Sequence, residues 1–251
     1  MSPKLVITPK ENIQNEKAGS SICGRPVDEC NRMRCSGKGH TIGLIGDSTV
    51  AMQSGWGPAF ASRFNEQAKV INYAKNGATL QSLSARLDEL VKLKPDYVLI
   101  QFGHNDQKRY DTKVYGDLLA SYIERIQKAG GKPIVVSSVT RRTFDESGKI
   151  VSTRVQTEKY TFKANLTVYA KAAQAVAEEM KVPFINLHTS SIAHHNKIGL
   201  EASMTYNFKE GDKTHFNEKG GQSITDLILP ELKQVAPELT AYLKESSKGD
   251  L

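Results

Sequence analysis

The sequence predicts an α/β fold, a three-layer α/β/α sandwich around a five-stranded parallel sheet. Three observations carry this prediction. Five short apolar runs, several rich in β-branched residues, are spread along the chain. Apolar stripes at helical spacing lie between them. Several runs discharge into polar, glycine-containing loops, as parallel strands do where open α/β sheets bind ligands.

Taken in order, Thr41 to Gly46 is the first strand, and Ser54-Gly55-Trp56-Gly57-Pro58 is a turn before a short helix over Ala59 to Asn65. Val70 to Tyr73 is the second strand. Leu80, Leu83, Leu87 and Leu90 are the buried stripe of the next helix. Tyr97 to Phe102 is the third strand, running into Gly103-His104-Asn105-Asp106. Tyr115, Leu118, Leu119, Tyr122 and Ile126 form a helical stripe that Gly130-Gly131 stops. Pro133 to Ser138 is the fourth strand, and Thr140 to Gly148 a long surface loop. Phe162, Leu166, Tyr169, Ala173, Val176 and Met180 mark a further helix, and Phe184 to Leu187 the fifth strand. From His188 to Gly211 the pattern weakens into a polar stretch. Asp212 to Asn217 then precedes a last helix over Glu218 to Leu232. Strands alternating with helices require right-handed crossovers, hence the parallel sheet.

At 251 residues with 39% hydrophobic content, the chain can bury one sizeable core. The expected partition is a polar, cysteine-containing extension over 1–39, one catalytic domain over 40–243 and a charged tail over 244–251. No apolar run approaches the length of a membrane span, so no membrane partner is expected. The first ten residues lack the pattern of a signal peptide. The net charge of +7 suits anionic partners, either nucleic acid or an acidic polymer. Neither an RNA-recognition signature nor a zinc-finger spacing accompanies it, so nucleic acid is not expected. Cys23, Cys30 and Cys35 all fall in the extension, and their spacing fits no zinc pattern. No metal and no cofactor are expected, and the chain is read as a monomer.

Ser48, directly after the first strand and Gly46-Asp47, is placed to act as a nucleophile. A serine hydroxyl needs a base, and the base needs a group that holds its tautomer. In Asp212-Lys213-Thr214-His215 a single turn can bring the Asp212 carboxylate to one nitrogen of His215 while the other faces Ser48. A tetrahedral intermediate needs donors for its oxyanion, and the Ser48 N–H, the Gly77 N–H and the Asn105 amide are the candidates. Asp47 and Asp106 are read as scaffold. His104 is suited either to substrate binding or to scaffold. Arg141 and Arg142 match the fork of a uronate carboxylate, against the simpler reading of a surface pair. Trp56 and Phe216 offer aromatic walls for sugar faces, against ordinary turn packing. For the pair His194-His195, no carboxylate spacing supports a metal.

Gly46-Asp47-Ser48-Thr49, Gly77, Gly103-His104-Asn105-Asp106 and Asp212-x-x-His215 together resemble the four blocks of the SGNH (GDSL-type) hydrolase superfamily, whose sheet is flavodoxin-like. Within it, Ile100 to Asp106, Val139 to Lys149 and Thr214 to Gly220 are similar to the rhamnogalacturonan acetylesterase family. The resemblance covers Thr41 to about Leu232. It implies metal-free removal of acetyl groups from plant cell-wall polysaccharide by a secreted or periplasmic enzyme, with an acetylated polysaccharide or oligosaccharide as substrate. Ser48 is then the nucleophile, His215 the base, Asp212 its orienter, and Ser48, Gly77 and Asn105 the oxyanion donors. Two departures stand out. Gly77-Ala78-Thr79 replaces the family's usual Gly-Arg-Ser, and the stretch from His188 to Asp212 is longer than usual. A short-chain or lipolytic esterase is the nearest rival, and a non-catalytic carbohydrate-binding protein on the same fold is another.

Overall fold

In the computed structural model, which describes residues 39–152, 154–155 and 164–244, the five expected runs form one parallel sheet. Among the described residues the strands are β1 (His40–Gly46), β2 (Ala68–Asn72), β3 (Tyr97–Gln101), β4 (Lys132–Val136), β5 (Arg154–Val155), β6 (Ala164–Asn165) and β7 (Phe184–Ile185). The helices are α1 (Gly57–Ser62), α2 (Ser84–Lys92), α3 (Thr112–Lys128), α4 (Leu166–Glu179), α5 (Leu187–Met204) and α6 (Glu218–Val235). The large sheet has the order β2-β1-β3-β4-β7, all parallel, while β5 and β6 pair antiparallel as a separate ribbon.

Strand period sorts the core into two layers although both faces are apolar. Ile42, Leu44, Leu99, Ile134 and Val136 pack with Trp56, Phe60 and the α6 residues Ile224 and Ile228 on one face. Ile45, Val98, Ile100 and Val135 pack with Leu87, Leu119, Tyr122 and Tyr169 from α2, α3 and α4 on the other. Polar side chains set the helix starts. Asp111 accepts the Val114 N–H ahead of α3, Asn165 the Val168 N–H ahead of α4, and Asn217 the Gly220 N–H ahead of α6.

Three expectations are corrected. The polar stretch from His188 onward is not irregular, because α5 occupies Leu187–Met204. Its buried positions include His188, Ser191, His195 and Ser203, which make hydrogen bonds in place of an apolar stripe, so hydrophobic periodicity had nothing to report. Gly199, at φ 80°, interrupts its helical backbone. The second helix starts at Ser84, with Leu80 and Leu83 buried in the turn before it. The last helix runs on through Pro230 to Val235. The expected cysteine-bearing extension, the charged tail beyond Lys244 and Phe162 lie outside the described residues.

Candidate active site

The chain leaves β1 toward β2 on one side and returns to β3 on the other, so the sheet order reverses at the carboxyl end of β1. Open α/β sheets bind ligands at such a switch point, and Ser48 stands there, two residues past the strand. Gly46 is needed for the approach, because a Cβ on it would lie 2.5 Å from the Gln101 carbonyl oxygen and 2.7 Å from the Val50 side chain.

A buried polar chain fixes the turn that carries Ser48. Asp47 Oδ1 accepts from the Thr49 N–H at 2.9 Å and from the Thr49 hydroxyl at 2.8 Å. Gln101 Nε2 donates to Thr49 Oγ1 at 2.5 Å, and Trp56 Nε1 donates to Gln101 Oε1 at 2.9 Å. Trp56 is therefore fully buried and is no sugar wall. Asp47 has the scaffold role expected of it. Burial pushes its carboxyl up, against the pull of the Thr49 and His104 hydrogen bonds.

His215 Nδ1 donates to Asp212 Oδ2 at 2.9 Å, which leaves Nε2 as the acceptor, and the Ser48 hydroxyl donates to it at 2.8 Å. Asp212 Oδ1 also accepts the N–H groups of Thr214 and His215, each at 3.0 Å. Burial works against the Asp212 charge, but the hydrogen bonds from His215 and Thr214 outweigh it and hold the carboxyl at about 2. The three expected residues are thus brought into one relay.

The loop holding Asp212 and His215 is gripped from behind by Arg142. This guanidinium is fully buried and donates from Nη2 to the carbonyls of Asp212 (2.9 Å) and His215 (2.5 Å) and from Nε to Asn207 Oδ1 (2.9 Å). It lies 4.6 Å over the Phe216 ring, which is buried too. Arg142 therefore serves the loop and not a sugar: the loop's carbonyls and the Phe216 ring enclose the cation that a uronate was expected to meet. Burial pulls the Arg142 pKa down to about 10, still a cation at neutral pH. Arg141 is partly exposed but does not line the cleft, and its Nε has no partner among the described residues.

His104 is also buried. Its Nε2 donates to the Val139 carbonyl at 2.9 Å, and burial keeps its pKa well below the usual imidazole value, so the scaffold reading replaces substrate binding. Asp106 Oδ1 accepts the Leu80 N–H at 2.9 Å, while Oδ2 is buried with no partner among the described residues. Burial, with the Asp47 charge adding to it, pushes this carboxyl up to about 7. His194 and His195 bond Tyr206 and Ser203 on α5 and the turn after it.

Ser48, Asp212 and His215 open into a cleft of about 360 Å³. Gly77 and Asn105 line the same cleft. Among the described residues, neither the Ser48 nor the Gly77 N–H is taken by an acceptor. Gly77 has φ 74°, which its missing side chain permits. Asn105 Nδ2 donates one hydrogen to the Ala78 carbonyl at 3.0 Å, which fixes the amide and leaves its second hydrogen free. Three residues with an unengaged N–H donor thus line the cleft that holds the Ser48 hydroxyl. The arrangement can take a proton from the alcohol and receive negative charge beside it.

Gln53, Asn76, Phe208 and Lys209 also line the cleft, and none was singled out from the sequence. Phe208 is 47% exposed, and its N–H donates to the His215 carbonyl at 3.2 Å, which ties it to the relay. An aromatic and a cation side by side, four and three residues before Asp-x-x-His, was the signal that could have found the pair.

The family model described as the GDSL-like lipase/acylhydrolase family matches residues 44–222. The chain is 34% identical over 226 residues to the rhamnogalacturonan acetylesterase RhgT of Bacillus subtilis, a match covering 80% of this chain and 92% of that one. It is 26% identical to the rhamnogalacturonan acetylesterase of Emericella nidulans, over 75% of this chain and 83% of that one. The solved structure of an acetylxylan esterase from Geobacillus stearothermophilus, in a catalytic mutant, aligns with a TM-score of 0.58 at 19% identity, covering 78% of this chain and 95% of that one. That likeness concerns the fold.

Proposed function

The chain belongs to the GDSL-like lipase/acylhydrolase family, and from that premise we propose that it removes O-acetyl groups from rhamnogalacturonan or a related pectic polysaccharide, outside the cytoplasm, through an acetyl-Ser48 intermediate. His215 Nε2 takes the Ser48 proton as Oγ attacks the acetyl carbonyl, and Asp212 holds the ring and stabilises the imidazolium. Charge on the former carbonyl oxygen is met by the N–H groups of Ser48 and Gly77 and by the Asn105 amide. The intermediate collapses as His215 returns the proton to the sugar oxygen, which leaves as an alcohol. A water, deprotonated by His215, then attacks the acetyl-serine, and acetate departs as Ser48 recovers its proton.

The observation that carries the substrate is the rim of the cleft: an exposed Phe208 ring beside Lys209, next to the relay. The ring offers an apolar surface to the C–H face of a pyranose, and the ammonium offers a partner to a uronate carboxylate. These two residues take the roles expected of Trp56 and Arg142. The two relatives named as rhamnogalacturonan acetylesterases support the same substrate.

The test is acetate release from acetylated rhamnogalacturonan, pectin and xylan by the wild type and Ser48→Ala, with p-nitrophenyl esters of increasing acyl length in parallel. Release from the pectic substrates, preference for acetyl among the esters and loss of all turnover in Ser48→Ala are expected. A preference for long acyl chains, or equal residual activity in the variant, overturns the reading.

A further inference from the structure

Beside the cleft that holds the relay lies a second one, of about 280 Å³. The two adjoin. Gln53 lines both, and consecutive residues line one each, Ser54 and His215 the first, Gly55 and Phe216 the second. The geometry points to a second sugar subsite here, holding the neutral residue of the glycan that adjoins the one being deacetylated. This inference rests on the carbohydrate-esterase reading above.

Its lining has the chemistry of a sugar site. Pro58, Ala59 and the 63%-exposed Met52 give it an apolar wall, suited to a pyranose C–H face. Gln53, Gln222 and Glu218 bring two amides and a carboxylate, none of them engaged in a side-chain hydrogen bond among the described residues, so donors and acceptors are available for hydroxyl groups. Among the described residues Glu218 is the only charged one in the lining and no cation accompanies it, so the subsite favours a neutral sugar and disfavours a uronate. The first cleft differs, since it carries Lys209. The glycan then runs from Phe208 and Lys209 across Ser48 and Gln53 to Met52 and Gln222.

The prediction is a chain-length effect that depends on this cleft. Wild type, Met52→Ala/Gln222→Ala and the filling variant Gln222→Trp are assayed on a length series of acetylated rhamnogalacturonan oligosaccharides, on acetylated xylo-oligosaccharides, and on p-nitrophenyl esters from acetyl to octanoyl. In the wild type kcat/KM rises with oligosaccharide length. Both variants lose that gain, by roughly five- to tenfold, the worth of one or two hydrogen bonds, and keep wild-type rates on p-nitrophenyl acetate. Deacetylation with no length gain in the wild type, or with a gain that both variants retain, overturns the subsite and leaves the esterase reading standing. An equal loss on p-nitrophenyl acetate in both variants also overturns it, as does a wild-type preference for longer acyl chains that Gln222→Trp abolishes, which would assign the cleft to the acyl group. Failure to deacetylate any glycan, with p-nitrophenyl acetate still hydrolysed, overturns both readings.

Discussion

Replacing Arg142 distinguishes a residue that binds substrate from one that holds the machinery. Its side chain donates to the carbonyls of Asp212 and His215 and to Asn207, all from a fully buried position. Hydrogen bonds from a charged donor contribute about 1.5 to 3 kcal/mol each, and removing the donor leaves buried acceptors short of a partner. Arg142→Ala should therefore cost roughly 3 to 5 kcal/mol of stability, a large loss for one substitution. In a domain of this size that lowers Tm by roughly 6 to 20 °C. The loop it grips aims the His215 ring at Ser48, and a displacement on the order of 1 Å there lowers kcat by about a hundredfold. Arg142→Lys, a point charge that cannot reach all three acceptors, should recover part of both losses. The assay compares p-nitrophenyl acetate with acetylated rhamnogalacturonan and acetylated xylan, well below each variant's Tm. The kcat should fall by a similar factor on all three, with little change in KM for p-nitrophenyl acetate. A raised KM confined to the acidic polymer, with kcat on p-nitrophenyl acetate intact, would refute the positioning role and restore the uronate contact. An unchanged Tm would refute the energetic account.

Asn105→Ala removes one donor from the cleft that holds the Ser48 hydroxyl and should lower kcat by about two to three powers of ten with KM nearly constant, as steady-state kinetics on p-nitrophenyl acetate would report. Phe208→Ala should raise KM for acetylated glycans about fivefold, the equivalent of roughly 1 kcal/mol of ring contact, and leave p-nitrophenyl acetate unaffected. Asp106 gives a pH test. Its folded carboxyl titrates at about 7 and its unfolded one at 3.8, so between those values the folded state holds a proton that the unfolded state has released. Its contribution is fully present below the unfolded value and is lost as pH rises, by about 1.4 kcal/mol per unit, until the folded group also ionises. Asp106→Asn keeps an acceptor for the Leu80 N–H but cannot ionise, so thermal melts at about pH 5 and about pH 8 should show a larger stability loss in the wild type than in the variant. Equal losses in both proteins would sink this account.

What the sequence made legible, and what it hid, follows from the kind of interaction at each position. β1, β3 and β4 were readable because burial on both faces writes itself as a continuous apolar run. Ser48, Asp212 and His215 were readable because their chemistry constrains residue type, and the short Asp-to-His spacing let one turn join two of them. The substrate contacts were not readable in this way. An arginine or a tryptophan looks the same in a sequence whether it faces a sugar or a buried carbonyl, and only packing decides. Here Gln101 takes the Trp56 N–H, and the carbonyls of Asp212 and His215 take the Arg142 guanidinium. α5 was hidden for a related reason, since its buried side is built from His188, Ser191, His195 and Ser203: the partners of His188 and Ser191, which are Ser137, Ser138 and Thr140, stand about fifty residues away, and that of His195, Ser203, stands one helix turn beyond the Gly199 break. The same packing explains why Phe208 and Lys209 can hold the rim. The turn after α5 is pinned by Arg142 to Asn207 and by the Phe208 N–H to His215, so the backbone that carries the two exposed side chains is held beside the relay. Loosening Arg142 should therefore disturb the rim along with the triad, which is why its variant is expected to fail on every substrate and not only on the acidic one.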